Sequence, residues 1–96
     1  MNTNLNIDFL EESAEVLRAM AHPLRLAICQ LLDSGKKLSV TEIHEGLDIE
    51  QAIASHHLRI LKDRKVLNSQ RDGKNTFYSL RTPEVIDIVK ALEKMI

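Results

Sequence analysis

Four histidines and one cysteine are the first candidates for metal, nucleophilic or acid–base chemistry: His22, His44, His56, His57 and Cys29. Their spacing limits what that chemistry could be. His56 and His57 are adjacent, and neighbours at i and i+1 diverge on a helix, so the pair cannot chelate one ion. A helical zinc pair needs i, i+3 or i, i+4 spacing. A lone cysteine excludes an intrachain disulfide and a CxxC-type metal site. Cys29 beside a histidine could be imagined as a nucleophile pair. However, the helix around it is apolar, and no glycine-rich phosphate loop or acidic catalytic pair accompanies it. The sequence therefore predicts no catalytic residue, no metal site and no cofactor, and the chain is expected not to be an enzyme.

A different chemistry emerges from charge. The net charge is −1, but it is unevenly spread. Residues 1–50 hold four Lys/Arg against nine Asp/Glu, whereas residues 51–81 hold seven Lys/Arg against Asp63 and Asp72. A basic block inside a near-neutral chain is an electrostatic footprint for a polyanion. A solvated lysine-rich face is the plain alternative, so the decision rests on which elements carry the block.

Helical periodicity predicts a first helix from Asp8 to Ala21, opened by a D-x-x-E start (Asp8, Glu11). His22-Pro23 interrupts it, since proline fits the first turn of a new helix but not an interior. The second helix, LRLAICQLL, is apolar nearly all round and is expected at the centre of the core, stopped by Gly35. Leu38 is a candidate for a very short strand. The S-V-T-E stretch (Ser39, Glu42) reads as a capping box for a third helix ended by Gly46. A few residues later a fourth helix runs from about Gln51 to Lys65. Two short helices joined by a tight turn form a helix-turn-helix. Beyond it, VLNSQ and TFYSL flank Asp72-Gly73, a two-residue hairpin signal. Thr82-Pro83-Glu84 then reads as N-cap, N1 and first-turn acid of a last helix.

The expected fold class is therefore mainly α with a small β-hairpin. It is a winged helix-turn-helix of order α-α-α-α-β-β-α, in one domain over residues 1–96. The helix-turn-helix spans about 40–65 and the wing about 66–81.

Helix geometry also orients the histidines. At about 100° per residue, Ile53, Ala54, His57, Leu58 and Leu61 share one arc, and Gln51, Ala52, Ser55, His56, Arg59 and Lys62 share the opposite one. His57 is expected to face the core as a hydrogen-bonded histidine, and His56 to face out. The outer arc is small, polar and cationic. A helix entering the DNA major groove needs short side chains where backbone meets bases, and Gln, Arg or His where base edges offer acceptors. Lys62, Arg64 and Lys65, with Arg71 and Lys74 on the hairpin, are expected to reach phosphates. The predicted DNA-binding set is Gln51, Ser55, His56, Arg59, Lys62, Arg71 and Lys74, and the predicted partner is double-stranded DNA.

Three stretches carry a family resemblance: RAMAHPLRLAICQLL, SVTEIHEGLDIEQAIASHHLRILKDRKVL and RDGKNTFYSL. Together they resemble the ArsR-type (arsenical-repressor-like) winged-helix transcription regulators from about Leu17 to Leu80. The S-x-H-L-x-x-L core (Ser55, His57, Leu58, Leu61) and the basic wing are specific in combination. The resemblance implies a homodimer built from the first and last helices, about 8–21 and 83–96. It also implies binding to an imperfect inverted repeat in promoter DNA, with repression until an inducer acts. Ala52 departs from the family's usual Ser or Thr, and Glu50 stands where a small cap or proline is more usual.

The expected dimer seam is Leu10, Leu17, Val85, Val89 and Leu92. Neither metal site of the metal-sensing relatives is present: the third helix has His44 but no cysteine, and the last helix has no histidine. Redox-sensing relatives pair a cysteine in the second helix with one in the last. Cys29 occupies the second helix without that partner, so it is either a packing residue or a redox residue acting with a separate molecule. The inducer is undetermined. A protein-interaction module on the same fold, without specific DNA binding, is the alternative function.

Length and composition are consistent with this. A chain of 96 residues buries only about 60–65% of its unfolded surface and gains from dimerising. Aromatics are limited to Phe9, Phe77 and Tyr78, which suits an aliphatic helical core. No apolar run approaches the roughly 18 residues of a membrane span. The stretch MNTNLNIDFLEES lacks the basic segment of a signal peptide. A cytoplasmic protein is expected, with no membrane partner.

Overall fold

A computed structural model describes residues 4–96. The elements are α1 (Ile7–Met20), α2 (Pro23–Leu31), β1 (Leu38–Ser39), α3 (Val40–Gly46), α4 (Gln51–Asp63), β2 (Leu67–Asp72), β3 (Asn75–Leu80) and α5 (Glu84–Met95). The fold class is the expected winged helix-turn-helix. Among the described residues no helix is long and apolar enough to cross a membrane.

Local chemistry sets the boundaries, in places one residue away from the sequence expectation. The cap of α1 is Asn6, whose Oδ1 accepts from Phe9 N–H at 3.1 Å. The D-x-x-E start at Asp8 is not used. His22 caps α2: its Nδ1 accepts from Leu24 N–H at 3.0 Å, and Pro23 opens the helix. That helix ends at Leu31, short of Gly35. Asp33 Oδ1 takes the Ser34 N–H at 2.7 Å, and Ser34 and Gly35 both turn left-handed, which swings the chain toward β1. Thr82 does not cap α5. The cap is Pro83, with no side-chain bond, and the Thr82 carbonyl accepts from Val85 N–H at 3.3 Å.

The capping box of α3 is present as expected. Ser39 Oγ accepts from Glu42 N–H at 3.1 Å, and a Glu42 carboxylate oxygen accepts from Ser39 N–H at 3.0 Å. Ser39 is also the last residue of β1, paired with Phe77 of β3. The sheet is consequently three-stranded and antiparallel, in order β1-β3-β2, rather than an isolated hairpin. Asp72 pairs with Asn75, so the hairpin's two central residues are Gly73 and Lys74, one position beyond the expected Asp72-Gly73. Of these only Gly73 has positive φ, at 63°. Positive φ at the first central position alone fits a type II′ turn, where glycine avoids a Cβ clash.

The core is aliphatic. Met20, Ile28, Cys29, Leu32, Ile43, Leu58, Leu61, Val66, Leu67, Val85, Ile86 and Val89 form one buried cluster. As expected, α2 lies at its centre, with Ile28, Cys29 and Leu32 fully enclosed. Polar ties link α2 to α5 at the surface. Gln30 Nε2 donates to Glu93 Oε1 at 3.0 Å, and Lys90 lies 4.0 Å from Asp33.

Candidate nucleic-acid interface

Helices α3 and α4 are joined by a turn that follows from the way α3 stops. Leu47 is its C-cap and Asp48 is left-handed at φ 53°. Asp48 N–H bonds the Glu45 carbonyl at 3.1 Å and Ile49 N–H bonds the His44 carbonyl at 3.0 Å. This is the paired closure of a Schellman motif. Gly46, expected to end the helix, is its last residue, and the left-handed position falls to Asp48. Aspartate tolerates it because its short side chain bonds locally.

The far end of α4 closes in the same way. Lys65 is left-handed at φ 60°, its N–H bonds the Lys62 carbonyl at 2.9 Å, and Val66 N–H bonds the Leu61 carbonyl at 2.9 Å. Arg81 N–H then bonds the Val66 carbonyl at 3.0 Å. The root of the hairpin is thereby fastened to the end of α4.

Between these closures α4 presents two faces. Ala54, His57, Leu58 and Leu61 are buried, whereas Gln51, Ala52, Ser55, His56, Arg59 and Lys62 are exposed. Ile53, assigned to the inner arc, is 40% exposed because it sits at the edge of that arc. His57 turns inward at 7% exposure but is not hydrogen-bonded as expected: its buried Nδ1 has no partner. Its ring packs against that of His22, centroids 4.4 Å apart, and lies 5.3 Å from that of His56. Burial holds its pKa below the ordinary 6.5, helped by the charges of His22, Arg25 and His56. His56 remains on the outer face beside Ser55 and Arg59.

The expected phosphate-reaching residues divide. Lys62 is exposed, and among the described residues no ion pair engages it. Arg71 and Lys74 are exposed at the hairpin tip, where Arg71 Nε donates to the Gly73 carbonyl at 3.2 Å. Arg64 is drawn aside: it lies 3.2 Å from Glu15 of α1, which also pairs with Arg18. The Arg64 side chain nevertheless stays 56% exposed, and an exposed pair of this kind holds it only weakly. Lys37 was missed, because it belongs to the acidic half of the sequence. Its ammonium donates to Gln70 Oε1 on β2 at 3.2 Å, which adds a cation to the wing. The only signal for it was its position one residue before β1.

The residues expected at the seam differ in exposure. Leu10 and Leu17 on α1 are 39% and 53% exposed, and Leu92 is half-buried. Val85 and Val89, in contrast, are buried in the subunit's own core, where α5 packs on α2. They offer no free surface. Exposed Ile7 continues the apolar strip of Leu10 and Leu17, whereas Phe9 is exposed on another side of α1.

Cys29 is completely enclosed, and burial pushes its thiol up to about 11. It is therefore protonated and poorly nucleophilic near neutral pH. Among the described residues, no group of three or more His, Cys, Asp or Glu is arranged to hold a metal ion.

Comparison with known proteins agrees with this geometry. Residues 20–70 match a family model described as a helix-turn-helix domain. The chain is 42% identical to the transcriptional repressor PagR of Bacillus anthracis, covering 86% of this chain and 83% of PagR. The crystal structure of PagR superposes with a TM-score of 0.80, covering 91% of this chain and 99% of that one. The transcriptional activator HlyU of Vibrio cholerae is 31% identical over 95% of this chain and 87% of its own length. A homodimeric winged helix-turn-helix DNA-binding domain from Mycobacterium bovis shares the fold at a TM-score of 0.82 and 23% identity. That match covers 99% of this chain and 87% of that one.

Proposed function

The chain belongs to the ArsR-type helix-turn-helix transcription regulators, and from that premise we propose that it represses transcription as a homodimer reading an inverted-repeat operator. It is a DNA-binding regulator, and its relatives include a repressor and an activator. The higher identity to PagR favours repression.

The observation that carries the reading is the outer face of α4: Gln51, Ser55, His56, Arg59 and Lys62 are all exposed while Leu58 and Leu61 anchor the helix from below. In this assignment Arg59, Gln51 and His56 meet base edges in the major groove, and Ser55 permits close approach. Lys62, Arg71 and Lys74 contact phosphates, with Lys37 beside them on the wing. The exposed apolar strip of α1, with Leu10 and Leu17, supports a seam with a second copy. A two-fold dimer would set two reading helices about 34 Å apart, one DNA turn.

The test is selection of duplexes from a randomised library by the purified protein, followed by anisotropy titration of the recovered sequence. A near-palindrome bound in preference to random DNA, with affinity falling as salt rises, is expected. Recovery of no preferred sequence would overturn the assignment.

A further inference from the structure

His44 makes a bond that helix closure does not require. Its backbone carbonyl accepts from Ile49 N–H at 3.0 Å, which is the ordinary last bond of the motif ending α3. In addition, His44 Nδ1 lies 3.1 Å from the Ile49 carbonyl. A carbonyl can only accept, so Nδ1 must carry the proton. Both backbone polar groups of Ile49 are therefore held by one residue of α3.

The extra bond acts at the entry to α4. Ile49 is two residues before Gln51, the start of α4, and the intervening Glu50 makes no side-chain cap bond. No side-chain cap fixes where α4 begins, so its entry is set by the turn. The turn also contains the left-handed Asp48, so the direction in which the chain leaves it depends on how Ile49, the next residue, is held. The His44 ring supplies the second tie, bridging the helix before the turn to the last free carbonyl ahead of Glu50.

We infer that His44 is a positioning residue for DNA reading: its Nδ1–H, bonded to the Ile49 carbonyl, fixes the angle at which α4 presents Gln51, Ser55 and Arg59. The inference rests on α4 being the reading helix. It differs from a metal or surface role for His44, because it requires one defined tautomer and no ligand. The bond uses a proton present in one neutral tautomer and in the imidazolium, so it needs no charge.

The conservative variant separates positioning from bulk. In His44→Asn the amide nitrogen replaces Nδ1 at the same distance from the backbone, whereas His44→Ala removes the donor. The full-length proteins are titrated against the duplex recovered by the unaltered protein, with melting followed by circular dichroism. His44→Ala is expected to bind about three- to tenfold more weakly, the size of one lost hydrogen bond, and His44→Asn to recover most of the loss. On the unaltered protein, imidazole nitrogen NMR should find the His44 proton on Nδ1. Normal binding by His44→Ala, equal weakening in both variants, or a proton on Nε2 alone would each overturn the inference while leaving DNA reading intact. Absence of any preferred duplex for the unaltered protein would overturn both.

Discussion

The imidazole of His57, on the inner face of α4, lies against that of His22, the cap of α2, with ring centroids 4.4 Å apart. No carboxylate is among the groups that act on the His57 ring; His22, Arg25 and His56 all oppose a positive charge there. Burial first, and those charges second, therefore hold its folded-state pKa below the ordinary value of 6.5. Between that lowered value and 6.5 the unfolded chain binds a proton that the native one refuses. The contribution of His57 to stability is thus complete above 6.5 and is lost as pH falls through the lowered value. Melting midpoints recorded from about pH 7.5 down to about pH 5 should fall, and fall less steeply for His57→Gln. Parallel curves would remove His57 from the account.

Arg59→Ala and Lys74→Ala should separate reading from holding. Arg59 is exposed on α4, so its removal should cost about 1–3 kcal/mol of operator binding and relax preference at one base position. Lys74→Ala should weaken binding evenly across sequences and reduce the salt slope by about one. Neither should change stability by more than about 0.5 kcal/mol. Equal losses on operator and random DNA for both variants would refute the division.

The Lys65 backbone gives a stabilising prediction. A non-glycine residue at φ 60° costs roughly 1–2 kcal/mol relative to relaxed backbone, part of which glycine recovers. Lys65→Gly should therefore raise stability by about 0.5–1 kcal/mol in urea titration. A lower midpoint with unchanged slope would refute the role given to the left-handed backbone at Lys65.

Cys29 should behave as a packing residue. With the thiol enclosed and its pKa raised to about 11, a disulfide reagent at neutral pH should react only as the protein opens, and rapidly in denaturant. Peroxide should leave DNA affinity unchanged. Fast native-state labelling would restore a sensing role.

Leu17→Glu tests the seam. Leu17 is 53% exposed, so a charge there should leave the fold intact. Two copies each losing about 1.5 kcal/mol of apolar burial would weaken the dimer roughly a hundredfold. Sedimentation at micromolar protein should then report monomers, with operator binding reduced in parallel. An unchanged dimer would move the seam elsewhere.

The parts of this molecule visible in the sequence were those governed by periodicity. The two faces of α4, the inward turn of His57 and the capping box at Ser39 all follow from which residues lie three or four apart. Where the reading slipped, a distant or local competitor decided. Glu15 of α1 pairs with Arg64 at the surface, and packing on α2 drew Val85 and Val89 inside. A type II′ turn put Gly73 first rather than second. Lys37 was invisible because only the pairing of β1 with β3 brings its segment to the wing. The tilted contact of the His22 ring with that of His57 joins residues 35 apart in the chain, and nothing in either local pattern announces it.

Ser39 belongs to two structures at once: it closes the first turn of α3 and pairs with Phe77 in the wing. The hairpin is also rooted at Val66, directly beyond α4. Wing and helix pair are consequently riveted at two points and travel as one headpiece, a caliper of fixed jaw width. If two copies read one operator as proposed, a releasing signal would act by changing the distance between two calipers rather than by bending either one.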